Sequence, residues 1–337
     1  MSEQRVKKQH YVPRCYLERW TIQGKYQTHV YDKELNKARI SSINDIASEN
    51  YFYDINYSEI LRDEDFEKIG ISREVFKEFD FGQGIEKFFG QKIEDDYANI
   101  LKKIQKKIDG MTSDMELLRD VITVEEKISL SYYLALQIVR TKFTRNAIRD
   151  SADCLTQILM DMKIPEKHID KYRVSKEELK YIHSKMIFDK KRMGEICKSL
   201  FDFVWIFLVN RTEQLFYTSD NPIGTEAHVE DQFFPMNGLN SPGVEAFFPL
   251  SPRVMLVMLD RKYHRKARRW ERKAKVFNDS LIVNGYNARC VVNAERCVFS
   301  SEGDFSVIEK MLEMHPNVLE QPHSVMEWGG KTYVPKK

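Results

Sequence analysis

The chain has 337 residues, 42% of them hydrophobic and 31% charged, with a formal net charge of +2. This composition carries enough apolar material for a full core and excludes a disordered chain, while near-neutrality excludes a globally basic nucleic-acid binder. Five cysteines, an odd number with no C-x-x-C pair, point to free thiols in a reducing compartment rather than to a disulfide framework or a zinc knuckle.

In chain order, the opening is polar and carries no signal peptide, and the most apolar run, Phe203 to Val209, is far too short to span a bilayer. The expected location is cytoplasmic, with no membrane partner. Residues 1–57 read as short strands and turns. Tyr26 to Tyr31 alternates polar and apolar side chains after Gly24, as a half-buried strand does, and Asp32 and Lys33 suit a turn. Ile43 to Tyr53 begins as a helical turn and ends as an extended aromatic segment. Residues 58–84 are charged, with few periodic apolar positions. Asp80 to Gly84 reads as a loop whose DFG triplet lacks the companion motifs of a kinase.

The middle is helical. Ile85, Phe89, Ile93, Tyr97, Ile100, Leu101, Ile104 and Ile108 recur at spacings of three and four, the apolar face of a long helix that Gly110 ends. A second helix opens at Thr123, with Glu126 completing a capping box, and runs to about Arg149. A third opens at Ser175 with Glu178 in the same relation and runs to about Leu200. From Phe203 the period changes. Phe203 to Val209 is a continuous apolar run, the pattern of a buried central strand, and Leu215 to Thr218 is expected to return beside it. Further strands are expected at Ala246 to Leu250, Val254 to Leu259, Cys290 to Asn293 and Cys297 to Ser300. The fold class is therefore α+β: a helical central block over about 85–200, packed with strand-rich N- and C-terminal parts (1–57 and 201–337) that form a mainly antiparallel or mixed sheet. With no repeat and no low-complexity linker, one domain is the simplest organisation.

Four polar constellations stand out. The first is QHYVPR, Gln9 to Arg14. His10 titrates near neutral pH, Pro13 restrains Val12 to extended geometry, and an Arg four residues on could clamp an anion beside a general base or metal ligand. A lone His can equally just hydrogen-bond a backbone carbonyl. The second is TSDNP, Thr218 to Pro222, at a strand end. Asp220 and Asn221 can bind a divalent cation, a sugar hydroxyl or a base edge, or can close an Asx-turn. The third is the helix stripe Gln137, Arg140 and Thr144, continued by Arg145 and Arg149; Gln137 lies in an apolar run and needs a partner if buried. The fourth is Arg261 to Lys275, with nine Lys or Arg and interleaved Tyr263, His264 and Trp270. Phosphate binding with an aromatic platform fits this run, and so does a solvated helix with Trp270 tucked inward. No P-loop, dinucleotide fingerprint, H-E-x-x-H or G-x-S-x-G pattern is present.

The opening QHYVPRCYLERW, VYDK at Val30 to Lys33, ASENYFY at Ala47 to Tyr53, the TSDNP loop and FPLSP at Phe248 to Pro252 together resemble a bacterial family, domain-of-unknown-function family 4238, from about residue 8 to about residue 300. The matched positions are Gln9, His10, Pro13, Glu49, Tyr53, Asp220, Asn221 and Pro222. The resemblance names no reaction. It implies relatives among defence or mobile-element functions, which leans towards nucleic acid.

These residues lead to three expectations. One is a metal-dependent nuclease or phosphodiesterase: His10, Asp220 and Asn221 catalytic; His10, Asp220 and Glu49 holding Mg2+ or Mn2+; Arg14, Gln137 and Arg140 gripping substrate together with Arg265, Arg268 and Arg269. The second is a non-catalytic nucleic-acid or nucleotide-binding module built on the basic run and the aromatics. The third is a protein-interaction component in which the motifs only stabilise the fold. Convergence of His10 and Asp220 with Arg14 and the Gln137–Arg140 face on one cleft would favour the first.

Overall fold

The computed structural model describes residues 6–61, 64, 65, 68, 83–111, 119–229, 238–320 and 325–335. In chain order the N-terminal part comprises β1 (Lys8–His10), α1 (Arg14–Leu17) with a 3-10 turn (Glu18–Trp20), β2 (Gln27–Asp32), β3 (Lys37–Ser42), β4 (Ser48–Asn50) and α2 (Tyr57–Ile60). The helical part comprises α3 (Gly84–Lys92), α4 (Glu94–Asp109), α5 (Val124–Arg140), α6 (Lys142–Asp161), α7 (Glu166–Ile169), α8 (Lys176–Phe188) and α9 (Lys190–Asp202). The C-terminal part holds β5 (Val204–Asn210), β6 (Thr218–Ser219), β7 (Gly224–Glu226), β8 (Glu245–Ser251), β9 (Val254–Leu259), a 3-10 turn (Arg265–Trp270), β10 (Lys273–Phe277), α10 (Ser280–Asn293), β11 (Cys297–Ser300), α11 (Ser306–Met314), β12 (Met326–Trp328) and β13 (Lys331–Tyr333).

The α+β class holds. The periodic apolar positions of α4 are buried as read, and both capping boxes form, Thr123 with Glu126 and Ser175 with Glu178. The long helices are broken more often than periodicity alone suggests. The first breaks at Ile93, the second at Thr141 and the third at Asp189. At the last two breaks a side-chain oxygen caps the following helix, Thr141 on the Thr144 N–H and Asp189 on those of Lys191 and Arg192. Residues 112–118 and the DFG positions Asp80 to Gly82 lie outside the described residues.

Strand β5 is an interior strand, second in a five-stranded sheet of order β10-β5-β9-β8-β7 that is antiparallel except for the β10–β5 pair. Its VWIFLVN run is covered on both faces, which is why it does not alternate. A four-stranded antiparallel sheet, β3-β2-β11-β6, joins the N- and C-terminal parts. Two expectations are corrected here. Leu215 to Thr218 does not return beside β5; the chain crosses to the second sheet, where Thr218 pairs with Phe299. Cys290 to Asn293 is the last turn of α10, whose buried Val283, Tyr286, Asn287, Cys290 and Val291 follow a helical period that the short β-branched run conceals. The basic run is a 3-10 turn followed by β10, not one helix.

One contiguous apolar core includes residues of all three parts, from Tyr11 to Met311. The hairpin β12–β13 stands apart, joined to α6 through a small cluster of Cys154, Ile158 and Tyr333 and by Asp161 with Lys331 and Tyr333. None of the five cysteines is in a disulfide, and among the described residues no helix is long and apolar enough to cross a membrane. Phe207, fully buried in β5, should be a keystone: Phe207→Ala is expected to cost about 3–5 kcal/mol, read as a lowered denaturation midpoint at unchanged slope.

Candidate functional site

The N-terminal segment is held from beneath by the end of α5. Arg140, 2% exposed, donates from Nη2 to the His10 carbonyl at 2.6 Å, and Gln137, one turn earlier, donates from Nε2 to the Tyr11 carbonyl at 3.2 Å. The Arg140 guanidinium stacks 3.8 Å from the Phe89 ring centroid and lies 3.6 Å from Glu94. Because Thr141 breaks the helix, the last carbonyls of α5 have no intrahelical partner and must be satisfied otherwise. They are. The Ile138 carbonyl accepts from the Thr141 and Thr144 hydroxyls, the Val139 carbonyl is 2.7 Å from His183 Nε2, and the Arg140 carbonyl accepts from the Tyr53 hydroxyl. Since His183 Nδ1 accepts from Arg145, its proton sits on Nε2 and the ring is neutral. Burial beside Arg145 pushes its pKa down to about 3.

Around Arg140 the polar groups are incompletely paired. Glu86 Oε2, Gln137 Oε1, Arg140 Nε and Tyr97 Oη have no hydrogen-bond partner among the described residues. Glu86 is half-buried, and burial, with Glu94 and Asp54 nearby, pushes its carboxyl up to about 7 against the opposing pull of Arg140 and Arg14. Burial and Glu94 likewise raise the Cys15 thiol to about 12, which makes it an inert group at neutral pH. The sequence put His10, Arg14, Asp220 and the Gln137–Arg140 face on one cleft; Gln137 and Arg140 do reach the Tyr11 and His10 carbonyls, but the His10 ring turns to Ile43, Arg14 to Asn44, and Asp220 to the backbone of Glu295, Arg296 and Cys297. It missed Glu86, Glu94 and Tyr97, which belong to the start of the long apolar helix and read as its surface or its core.

His10 contributes its backbone more than its ring. Nε2 is 3.2 Å from the Ile43 carbonyl, and burial, with Arg14, Arg140 and Lys8 nearby, lowers the pKa to about 4. Arg14 is exposed and reaches Asn44 at 3.5 Å. Glu49 is paired with Lys142 at 2.7 Å. Gln9 and Tyr53 complete the ribbon: Gln9 Oε1 accepts from the Tyr53 N–H at 2.6 Å, and its amide donates to Asp54.

Asp220 belongs to a second knot. Its oxygens accept from the backbone N–H groups of Glu295, Arg296 and Cys297 at 2.9–3.0 Å, and its own N–H returns to the Cys297 carbonyl. Burial raises its pKa to about 6 even so, which leaves it ionised at neutral pH. Asn221 exchanges hydrogen bonds with Asn293, amide to carbonyl in both directions. The VYDK segment joins here, Asp32 holding the Arg296 guanidinium through two nitrogens and Lys33 Nζ donating to the Val291 and Ala294 carbonyls. The two knots are neighbours through Tyr11, whose buried hydroxyl feels Asp220 and Glu49. The side chains of His10 and Asp220 are nonetheless engaged with different partners.

The basic run forms a third feature. Arg261 and Arg272 are paired with Glu271 and Asp120, and Glu271 also takes the buried Lys127 at 2.9 Å. Lys262, Arg265, Lys266, Arg268, Arg269 and Lys275 are exposed and have no carboxylate partner among the described residues. Arg269 and Lys275 flank the half-buried Trp270 ring at 6.0 and 5.9 Å. The expected substrate contacts Arg265, Arg268 and Arg269 thus lie exposed in one short segment, which Glu271 ties to the opposite end of α5 from Arg140. Lys127 and Arg140 are thirteen residues apart, so the two ends are separated by about 20 Å of helix.

Two measurements follow. Asp220→Asn should destabilise the fold by about 3 kcal/mol or more, because the buried N–H groups it serves lose a charged acceptor; an unchanged urea midpoint would contradict the role described. For His10, the native imidazole stays neutral down to about 4, whereas the unfolded one protonates near 6.5. The unfolded chain therefore binds more protons in that window, and the contribution of this group is complete above pH 6.5 and lost as pH falls towards 4. The stability difference between wild type and His10→Asn should shift against the wild type by on the order of 3 kcal/mol across that window. Taking the difference removes the opposing titrations of Glu86 and Asp220.

No curated protein and no solved structure matches the chain. A family model described as Protein of unknown function (DUF4238) matches residues 8–304. The match covers the N-terminal ribbon, both knots, the helical block and the basic run, and the chain belongs to this family.

Proposed function

We propose that this chain binds nucleic acid along the face formed by Lys262, Arg265, Lys266, Arg268, Arg269 and Lys275 around Trp270. The observation that carries this reading is that these cations are exposed and have no carboxylate partner among the described residues, while the acid of the run, Glu271, is turned onto Lys127 and Arg261. The Arg265 and Arg268 Nε groups are tied to the Lys262 and Arg261 carbonyls, which orients the guanidinium planes and leaves their Nη groups for phosphate oxygens. With an overall charge of only +2, the attraction is local and its salt dependence reports this face. Changing Arg265, Arg268 and Arg269 together to Glu should weaken binding of labelled DNA or RNA at least about tenfold and reduce the log–log salt slope by about 2–3. Equal affinity and slope would assign the run to a solvated surface.

A second reading, a nuclease or phosphodiesterase, finds its support at Glu86. His10, Glu49 and Asp220 fit a shared Mg2+ or Mn2+ poorly, because each is committed to another partner. A carboxyl pushed up to about 7, with one oxygen unpartnered among the described residues and with Arg140 and Arg14 nearby, suits a general base instead. Glu86 would take a proton from water as the water oxygen bonds to phosphorus; the ester P–O bond then breaks and the leaving oxygen takes a proton from solvent. Labelled DNA, RNA and tRNA incubated with Mg2+ or Mn2+, and again with chelator, test this directly. Cleavage lost by at least about a hundredfold in Glu86→Gln with binding intact is the expected result; no cleavage by the wild type leaves the binding reading alone. Cleavage of foreign nucleic acid would fit a defence role.

A further inference from the structure

A cleft of about 1240 Å3 lies where the ends of the two sheets meet the C-terminal end of α4. Two of the segments that carry the family resemblance meet at its floor. Arg19 donates from Nε to the Leu250 carbonyl at 2.7 Å and from Nη2 to Gln105 Oε1 at 2.6 Å, and Ser251 and Pro252 line the same wall. Arg19 has no ion pair among the described residues; Asp109 acts on it only through space. A half-buried guanidinium served only by neutral acceptors is a desolvated, uncompensated charge, and burial lowers its pKa accordingly. Ser251, 7% exposed, has a buried hydroxyl without a partner among the described residues. Arg211 and Arg253 also line the cleft. A smaller hollow of about 270 Å3 shares Glu213, Leu215 and Glu302 with it and is also lined by Tyr217.

We propose that this cleft binds a phosphorylated sugar, its phosphate on Arg19, Ser251 and the neighbouring arginines. Donors dominate the floor, where a tetrahedral oxyanion can accept from several at once. The acids Asp109, Glu213 and Glu302 are exposed, and they supply acceptors for sugar hydroxyls rather than a second layer of repulsion. Ile22, Ile108 and Val254 give the sugar ring an apolar wall. The ligand is either a free sugar phosphate or the 5′ end of a polynucleotide, which present the same chemistry. The proposal does not rest on the basic face around Trp270.

Calorimetric titration with ribose 5-phosphate, ribose, inorganic phosphate and a short 5′-phosphorylated oligonucleotide, set against its unphosphorylated twin, tests it. Ribose 5-phosphate should bind with a Kd below about 1 mM, and ribose should not bind. A free metabolite is indicated if ribose 5-phosphate outcompetes the oligonucleotide, a polynucleotide end if the 5′-phosphorylated oligonucleotide binds tighter than its twin. Ser251→Ala and Arg211→Gln, both mild changes, should each weaken binding at least about fivefold at unchanged melting temperature, and Arg19→Lys should weaken it more. The Arg265, Arg268 and Arg269 charge reversal should leave ribose 5-phosphate binding unchanged, which separates this site from the proposed nucleic-acid face. No binding of either phosphate ester at ~10 mM, equal affinity for inorganic phosphate, or indifference to all three cleft variants would overturn the assignment.

Discussion

The structure depends on a buried charge at the end of one helix. Arg140 cannot leave the interior without stranding the His10 carbonyl, and it cannot stay there without Glu94, Phe89 and the neighbouring carboxyl of Glu86. Its position is fixed by Thr141, which ends the helix at that point and exposes the carbonyls that Tyr53 and His183 then take. A single helix break thereby ties together the N-terminal ribbon, the aromatic segment after it and α8. Removing one partner of such an arrangement leaves an uncompensated buried group, which is why buried ion clusters cost more to break than they contribute when intact.

The same logic separates the two motif knots. The Asp220 knot is closed: three backbone donors, Lys33 nearby and neither carboxylate oxygen without a partner. The Arg140 knot is open, with two acceptors and two donors unmatched among the described residues. Native proteins keep few buried polar atoms unpaired, and those they keep are concentrated where water, a proton or a ligand is handled. This contrast directs attention from the ionisable residues most conspicuous in the sequence, His10 and Asp220, to Glu86, which the sequence presents as one acid among many.

What was legible in the sequence was whatever is written locally. The capping boxes at Thr123 and Ser175, the 3.6-residue face of α4 and the two-sided burial of VWIFLVN each need only a dozen neighbouring residues to specify them. The need of Gln137 for a partner was legible too, from its apolar surroundings. What was not legible depends on distant chain. Asp220 finds its donors more than seventy residues on, and β6 is two residues long and takes its place only because β11 is there to receive it. The CVVN run of α10 illustrates the opposite error: four residues favour a strand, but Asp279 caps a helix upstream and the longer period prevails. Glu86 was hidden because an acid in the first turn of a helix ordinarily interacts with nothing more than the dipole.

The C-terminal hairpin lies outside the residues the family model matches, and it touches the rest of the protein through a patch of three buried side chains and a few polar contacts on α6. So small an attachment cannot share the cooperativity of the main core. A hairpin attached so lightly is expected to open ahead of the main core, so its amides should exchange with solvent before those of β5, and the face of α6 beneath it is the first part of the helical block to meet water.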